Sequence, residues 1–269
     1  MLPATRPYSG RFARSSLLLA DPIHILAEPL VLYLAIAAVA FLYSSVGHAG
    51  ASGYIAVLTL FGHSFEVIRP TALVLNILVA IIGSWQFIRA GHFSWSLTWP
   101  FAVLAIPASF VAGGVQLPRQ IIGAVIAVVL LFSAVRLFVR AGDPEQVTPP
   151  KLPLALALGG LIGFLAGLTG TGGGVFLTPL LLFCGWAKTR TAAATSVVFI
   201  LINSISGLVG LLVKGGTIPS LAWTLAPIVV VLGTLGSYLG SRKLPVRVIQ
   251  LLLAAVLISA GVKLLLPTK

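Results

Sequence analysis

Apolar runs of roughly 18 residues or more recur along this chain, and each sets the same condition on the backbone. In hydrocarbon an N–H or C=O group has no water to bond, so a spanning segment must satisfy its own polar groups. With 58% hydrophobic and only 8% charged residues, against about 25% charged in a soluble domain, the chain is expected to be an all-α polytopic membrane protein.

Two of the apolar runs are interrupted, and the interruptions are versions of one another: Ser45-Val46-Gly47-His48-Ala49-Gly50-Ala51-Ser52-Gly53 and Leu168-Thr169-Gly170-Thr171-Gly172-Gly173-Gly174. A helix broken by glycine leaves amides and carbonyls without partners, and burying each one unpaired costs about 2–7 kcal/mol. Such a break persists only where it faces protein, water or a bound solute.

The chain divides into a basic N-terminal tail (1–29), a first membrane repeat (30–140), a polar linker (141–151), a second membrane repeat (152–266) and a short C-terminal tail (267–269). The tail carries Arg6, Arg11 and Arg14, and its apolar core, Leu17-Leu18-Leu19-Ala20, is too short for a signal peptide. The first apolar unit runs from about Leu30 to Phe61. Spans are then expected at about Pro70–Ile88, with proline at the helix start, Leu97–Val115 and Ile121–Phe138. The pattern restarts with Leu152–Phe183, Thr191–Val213, Leu221–Leu239 and Val246–Leu266.

The halves align at a near-constant offset of about 123 to 127 residues: Gly47 with Gly170, Gly62 with Gly185, Gly83 with Gly207, Trp99 with Trp223, and Leu117-Pro118 with Leu244-Pro245. The chain therefore reads as an internal duplication, two four-segment repeats with about eight transmembrane segments. Each broken unit is either a kinked crossing, which makes the repeats parallel, or a hairpin that dips in and returns, which makes them inverted. The distribution of basic residues between loops slightly favours the crossing arrangement.

Charge narrows the function. The formal net charge is +12, from 17 basic and five acidic residues. Most basic residues flank apolar runs, where they orient the chain and meet anionic lipid, and no basic run with interleaved aromatics points to nucleic acid. Asp21, Glu28, Glu66, Asp143 and Glu145 all fall outside the expected spans. Carboxylate proton relays, carboxylate cation sites and intramembrane acid–base catalysis are thus poorly supported. The lone Cys184 excludes an internal disulfide, and no metal or cofactor is expected.

The glycine–proline core of the second half, from Gly163 through Leu168-Thr169-Gly170-Thr171-Gly172-Gly173-Gly174 to Pro179, together with Ala194-Thr195-Ser196, resembles the sulfite exporter TauE/SafE family of membrane anion permeases. The resemblance covers about residues 30–266. It implies a duplicated four-span unit in a bacterial plasma membrane and transport of sulfite, sulfonates or related oxidised-sulfur or carboxylate anions. The first copy departs from the pattern: His48 replaces a threonine-like position, Ala49 and Ala51 replace glycines, and Ala56 stands where the second half has Pro179.

The candidate substrate-binding residues follow from the breaks. Thr169, Gly170, Thr171, Gly172, Gly173 and Gly174 would present consecutive amides at a helix N-terminus, which attracts anions; the competing reading is close helix packing through small residues. Gly47, His48, Gly50 and Ser52 are the first copy, and His48 would bind an anion as a cation, carry a proton with it, or sit neutral against a neighbouring helix. Arg69 and Arg190 open the second span of each half and would clamp an oxyanion or snorkel to headgroups. Asn76, Thr195, Ser196 and Asn203 are polar groups within spans, where substrate contact competes with interhelical bonding. The expected function is a secondary transporter of a small anion, with the lipid bilayer as its other partner and a homo-oligomer left open. The alternatives are a non-transporting membrane subunit and an intramembrane enzyme.

Overall fold

The computed structural model describes residues 22–115, 135 and 143–265, and among them the regular elements are helices. These are α1 (Pro22–Ser45), α2 (Ala51–Leu60), α3 (Phe65–Arg89), α4 (Trp95–Gly113), α5 (Leu152–Thr169), α6 (Gly174–Phe183), α7 (Thr189–Val213), α8 (Ser220–Arg242) and α9 (Val246–Leu265). Five of them, α3, α4, α5, α7 and α8, are long and apolar enough to cross a membrane. The expected span Ile121–Phe138 and most of the basic tail lie outside the described residues.

Both apolar units that read as broken are broken, and the interruptions are shorter than the glycine-rich stretches: Gly53 already lies inside α2 and Gly174 opens α6. Two boundaries differ from expectation. α1 begins at Pro22 and carries Pro29 within it. α3 begins at Phe65, so Pro70 is an interior residue and Glu66 sits in the first turn instead of a loop. Glutamate is favourable there because the exposed amides of a helix start carry partial positive charge.

Contacts between helices fix their directions. Ser206 donates to the carbonyl of Ile106, Gly210 lies against Phe110 and Gly114 against Lys214, so α4 and α7 run parallel. Gly159, Gly163 and Gly167 lie against Phe101, Ala105 and Ser109 in the same order, so α5 joins that set. Val79 lies against Gly233 and Gln86 bonds Ser237, which makes α3 parallel to α8. Phe41 and Ser45 lie against Gly236 and Gly240, which adds α1. The two sets are antiparallel, since Gly83 meets Val197 while Asn76 meets Ser204.

The short helices turn back. Gly53 of α2 packs against Val39 and Tyr43 of α1, and Ser52 donates to the Tyr43 hydroxyl at 3.2 Å. A continuing helix would hold residues 39 and 53 roughly 21 Å apart at 1.5 Å per residue. α6 likewise runs antiparallel to α7, with Gly174 beside Ile200 and Thr178 donating to Ser196 at 2.6 Å. Each glycine break is therefore the tip of a helical hairpin, and α1–α2 points opposite to α5–α6.

Glycine stripes let the long helices approach to backbone contact. A Cβ built on Gly163 would come within 2.5 Å of the Cα of Ala105, and one on Gly167 within 2.5 Å of the Ser109 carbonyl. Small-residue stripes of this kind replace the hydrophobic drive that lipid does not supply. The linker is tied down by polar contacts: Asp143 accepts from the Thr189 amide (2.7 Å) and hydroxyl (2.6 Å), capping α7 from outside, and Gln250 of α9 donates to the same hydroxyl at 3.0 Å.

Gly163→Ala is expected to force α4 and α5 apart and destabilise the protein by about 1–3 kcal/mol, while Gly160→Ala, whose Cβ would meet Leu104 alone, at 3.3 Å or more, is tolerated. Thermal melting of the two variants in detergent separates these outcomes.

Candidate functional site

Three glycines at the second tip have positive φ, Gly170 (75°), Gly172 (74°) and Gly173 (84°), and at the first tip Gly47 (78°) and Gly50 (105°) do. A side chain strains that conformation, so the tips are reversals that few other residues would make. The residues that precede α2 and α6, Gly50 and Gly173, have no side chain with which to cap them. Among the described residues the amides of Thr171, Gly172, Gly173, Gly174 and Val175 donate no hydrogen bond. Gly172, Gly173 and Gly174 are all buried. The result is a run of enclosed donors ending at the positive end of α6.

Asn76, fully buried near the middle of α3, joins the two tips. Its Oδ1 accepts from the amide of Ala51, the first residue of α2, at 3.0 Å. Its Nδ2 donates to the carbonyl of Thr171 and to Ser204 Oγ, both at 3.3 Å. The start of α2 is thus occupied by a carboxamide oxygen, whereas the start of α6 is not. His48 stands at the junction as well. It is 3% exposed, the Cδ2 edge of its ring faces the backbone of Gly174, and its Nε2 makes no hydrogen bond.

The remaining candidates are distributed around this junction. Gly47 packs on the backbone of Ala193, and Gly50 against the ring of Tyr54. Ser52 bonds Tyr43, inside its own hairpin. Thr169 donates to the Leu165 carbonyl at 2.7 Å, and its oxygen lies 2.9 Å from that of Thr171. Ser196 accepts from Thr178, while the buried Thr195 hydroxyl has no partner. Asn203 donates to Phe199 in its own helix, leaving a buried Oδ1 unbonded.

The two arginines are not equivalent. Arg69 is 5% exposed and lies beside Gly170. Its Nη2 donates to the carbonyls of Ala112 (2.9 Å), Gly113 (2.8 Å) and Gly167, and its Nη1 to that of Val115 (3.3 Å). A guanidinium spread over these carbonyls joins the negative ends of α4 and α5. Arg190 is half-buried at the start of α7 and donates to the Leu244 carbonyl at 2.9 Å. It stands ten residues before Ile200, roughly 15 Å along the helix, and is not gathered at the junction.

Sequence reasoning passed over Tyr43, Tyr54, Thr71 and Ser204. Tyr43 and Tyr54 flank the first tip, and the hydroxyls of Tyr54 and Thr71 are buried without a partner. For the two tyrosines a polar side chain within a turn or two of a break, in an otherwise apolar run, was the available signal; Thr71 and Ser204 lie on α3 and α7, far along the chain from either break.

Two hairpins thus face one another across buried polar groups in a bundle of apolar helices. Residues 32–264 match the family described as "Sulfite exporter TauE/SafE". The chain belongs to that family. A probable membrane transporter protein of Sinorhizobium fredii, y4hK, is 40% identical over 244 residues, 88% of this chain and 98% of that one. One from Xylella fastidiosa is 38% identical over 96 residues, 35% of each chain. YunE of Bacillus subtilis, also a probable membrane transporter protein, is 30% identical over 125 residues, 46% of this chain and 45% of that one. No solved structure matches. As a member of the TauE/SafE family the protein is a multi-pass integral membrane protein and a membrane transporter, not an enzyme.

Asn76→Ala leaves the Ala51 amide and the Thr171 carbonyl without this partner, at a cost of about 1–3 kcal/mol. The variant is expected to insert and to melt at a lower temperature than the parent in detergent.

Proposed function

We propose that this transporter is a secondary permease for a small oxidised-sulfur or organic anion, such as sulfite or a sulfonate, and that the anion binds between the two hairpin tips. The observation that carries the reading is the run of unbonded amides from Thr171 to Val175 at the start of α6, buried from Gly172 onward. Enclosed amides favour negative charge through their N–H groups and the helix dipole, and they need no rearrangement to receive it. Positive φ at Gly172 and Gly173 brings the bare backbone to the surface of the site. The TauE/SafE family description supports the oxidised-sulfur class.

In this reading the repeats are inverted. α1–α2 enters from one face and α5–α6 from the other, each as a re-entrant hairpin, and the remaining segments of each half cross completely. Opposed hairpins whose tips meet near the middle of the bundle suit alternating access, because rocking one half against the other opens the tips to either face in turn. Gly47, His48, Gly50 and Ser52 belong to the first hairpin and Thr169 to Gly174 to the second. Asn76, Thr195, Ser196 and Asn203 line the approach, with Arg69 setting the position of the second tip.

Purified protein in liposomes is expected to carry radiolabelled sulfite or methanesulfonate. Gly172→Val is expected to insert normally and abolish that flux. Its Cβ would lie 2.8 Å from Asn76 Nδ2 and from Ser204 Oγ, at a φ of +74°. A Gly172→Val variant with full flux would remove the second tip from the site. Orientation is tested separately in a Cys184→Ser background, where His63→Cys and Lys188→Cys should react with an impermeant thiol reagent from opposite faces. Labelling from one face would mean parallel repeats.

A further inference from the structure

The two halves repeat one register around the tips. α3 and α7 are each 25 residues long, α2 and α6 each 10, and a glycine in the left-handed region, Gly50 or Gly173, precedes each short helix. The contacts repeat as well. Gly170 lies against Arg69, the fifth residue of α3, and Gly47 against Ala193, the fifth residue of α7. The twelfth residue of each long helix then meets the first residue of the short helix in its own half. Asn76 accepts from the Ala51 amide at 3.0 Å, whereas Ile200 packs against Gly174. At this one position the halves differ in what an amide needs. A carboxamide supplies an oxygen, and an isoleucine side chain has no acceptor. Ile200 is buried, and its methyl groups rest on Gly172 and Gly174.

Resting on the transport reading above, we infer that Ile200 is a specificity-determining residue of the anion site: by offering no acceptor where Asn76 offers one, it keeps the leading amide of α6 free for an anion. The residue at the twelfth position of the long helix thus decides which hairpin binds. An asparagine at position 200 would do for α6 what Asn76 does for α2. It is smaller than isoleucine, so it needs no added room, and its oxygen would take the Gly174 amide. The helix start would then be satisfied from within the protein, and an anion would have to displace the carboxamide to reach it.

The test compares Ile200→Asn with Ile200→Val, which also shortens the side chain but adds no acceptor, so any loss from removing the isoleucine is common to both. Two quantities are read on the purified proteins: the melting temperature in detergent without substrate, and the flux of sulfite or methanesulfonate in liposomes. Ile200→Asn is expected to melt higher than Ile200→Val, because its carboxamide bonds a buried amide, and to carry the anion about tenfold more slowly, the worth of one net hydrogen bond. A purely structural role for Ile200 would move stability and flux in the same direction. Equal fluxes in the two variants, or an Ile200→Asn protein that melts no higher than Ile200→Val or fails to insert, would overturn the inference. Those outcomes leave the transport reading standing, whereas a wild type that carries neither sulfite nor methanesulfonate overturns both.

Discussion

A backbone amide without a partner is costly in hydrocarbon, and this fold exposes several in two places. At the first tip the cost is offset locally: the carboxamide of Asn76 takes the leading amide of α2 and, with its other end, holds the Thr171 carbonyl of the second tip. One side chain of α3 thus links two chain reversals that lie in different halves of the sequence. The second tip is treated differently. Its carbonyls have partners in Asn76 and, at Gly167, in Arg69, but the amides leading into α6 are left open. Satisfying acceptors while leaving donors unfilled gives the backbone of the second tip a sign, and that sign is positive.

Glycine serves two separate physical purposes in holding this arrangement. Along α5 the stripe Gly159, Gly163 and Gly167 is helical and packs backbone to backbone on α4, while Gly170, Gly172 and Gly173 turn the chain. The first set brings the carbonyl ends of α4 and α5 close enough for one guanidinium to serve both. Without that close approach Arg69 would be a buried cation with too few acceptors, a costly state. The packing glycines and the buried arginine are therefore one device, and it fixes where the turning glycines begin.

Much of this was legible in the sequence. Apolar run length marked the helices, and glycine clusters marked both breaks, because hydrocarbon makes each a local property of the chain. Hairpin direction was not legible: a kinked crossing and a re-entrant turn have the same composition, and only the contacts of Gly53 with Val39 and Tyr43 separate them. Nor did charge locate Arg69, since burial against helix carbonyls depends on helices that meet only in three dimensions. The start of α3 differs for a local reason, as Pro70 resembles a first-turn proline yet lies in the sixth position of the helix.

The two halves share a plan and differ in chemistry. Where the second tip has Thr171, the first has His48; where the second leaves its leading amide open, the first fills it with Asn76. The arginine of the first half is sunk between helix ends and that of the second sits ten residues from the junction. The alignment of the two stretches therefore does not make two equal ends: a carboxamide fills the leading amide of α2, whereas the amides leading into α6 donate to no group among the described residues, so the start of α6 keeps the partial positive charge that the start of α2 shares with Asn76.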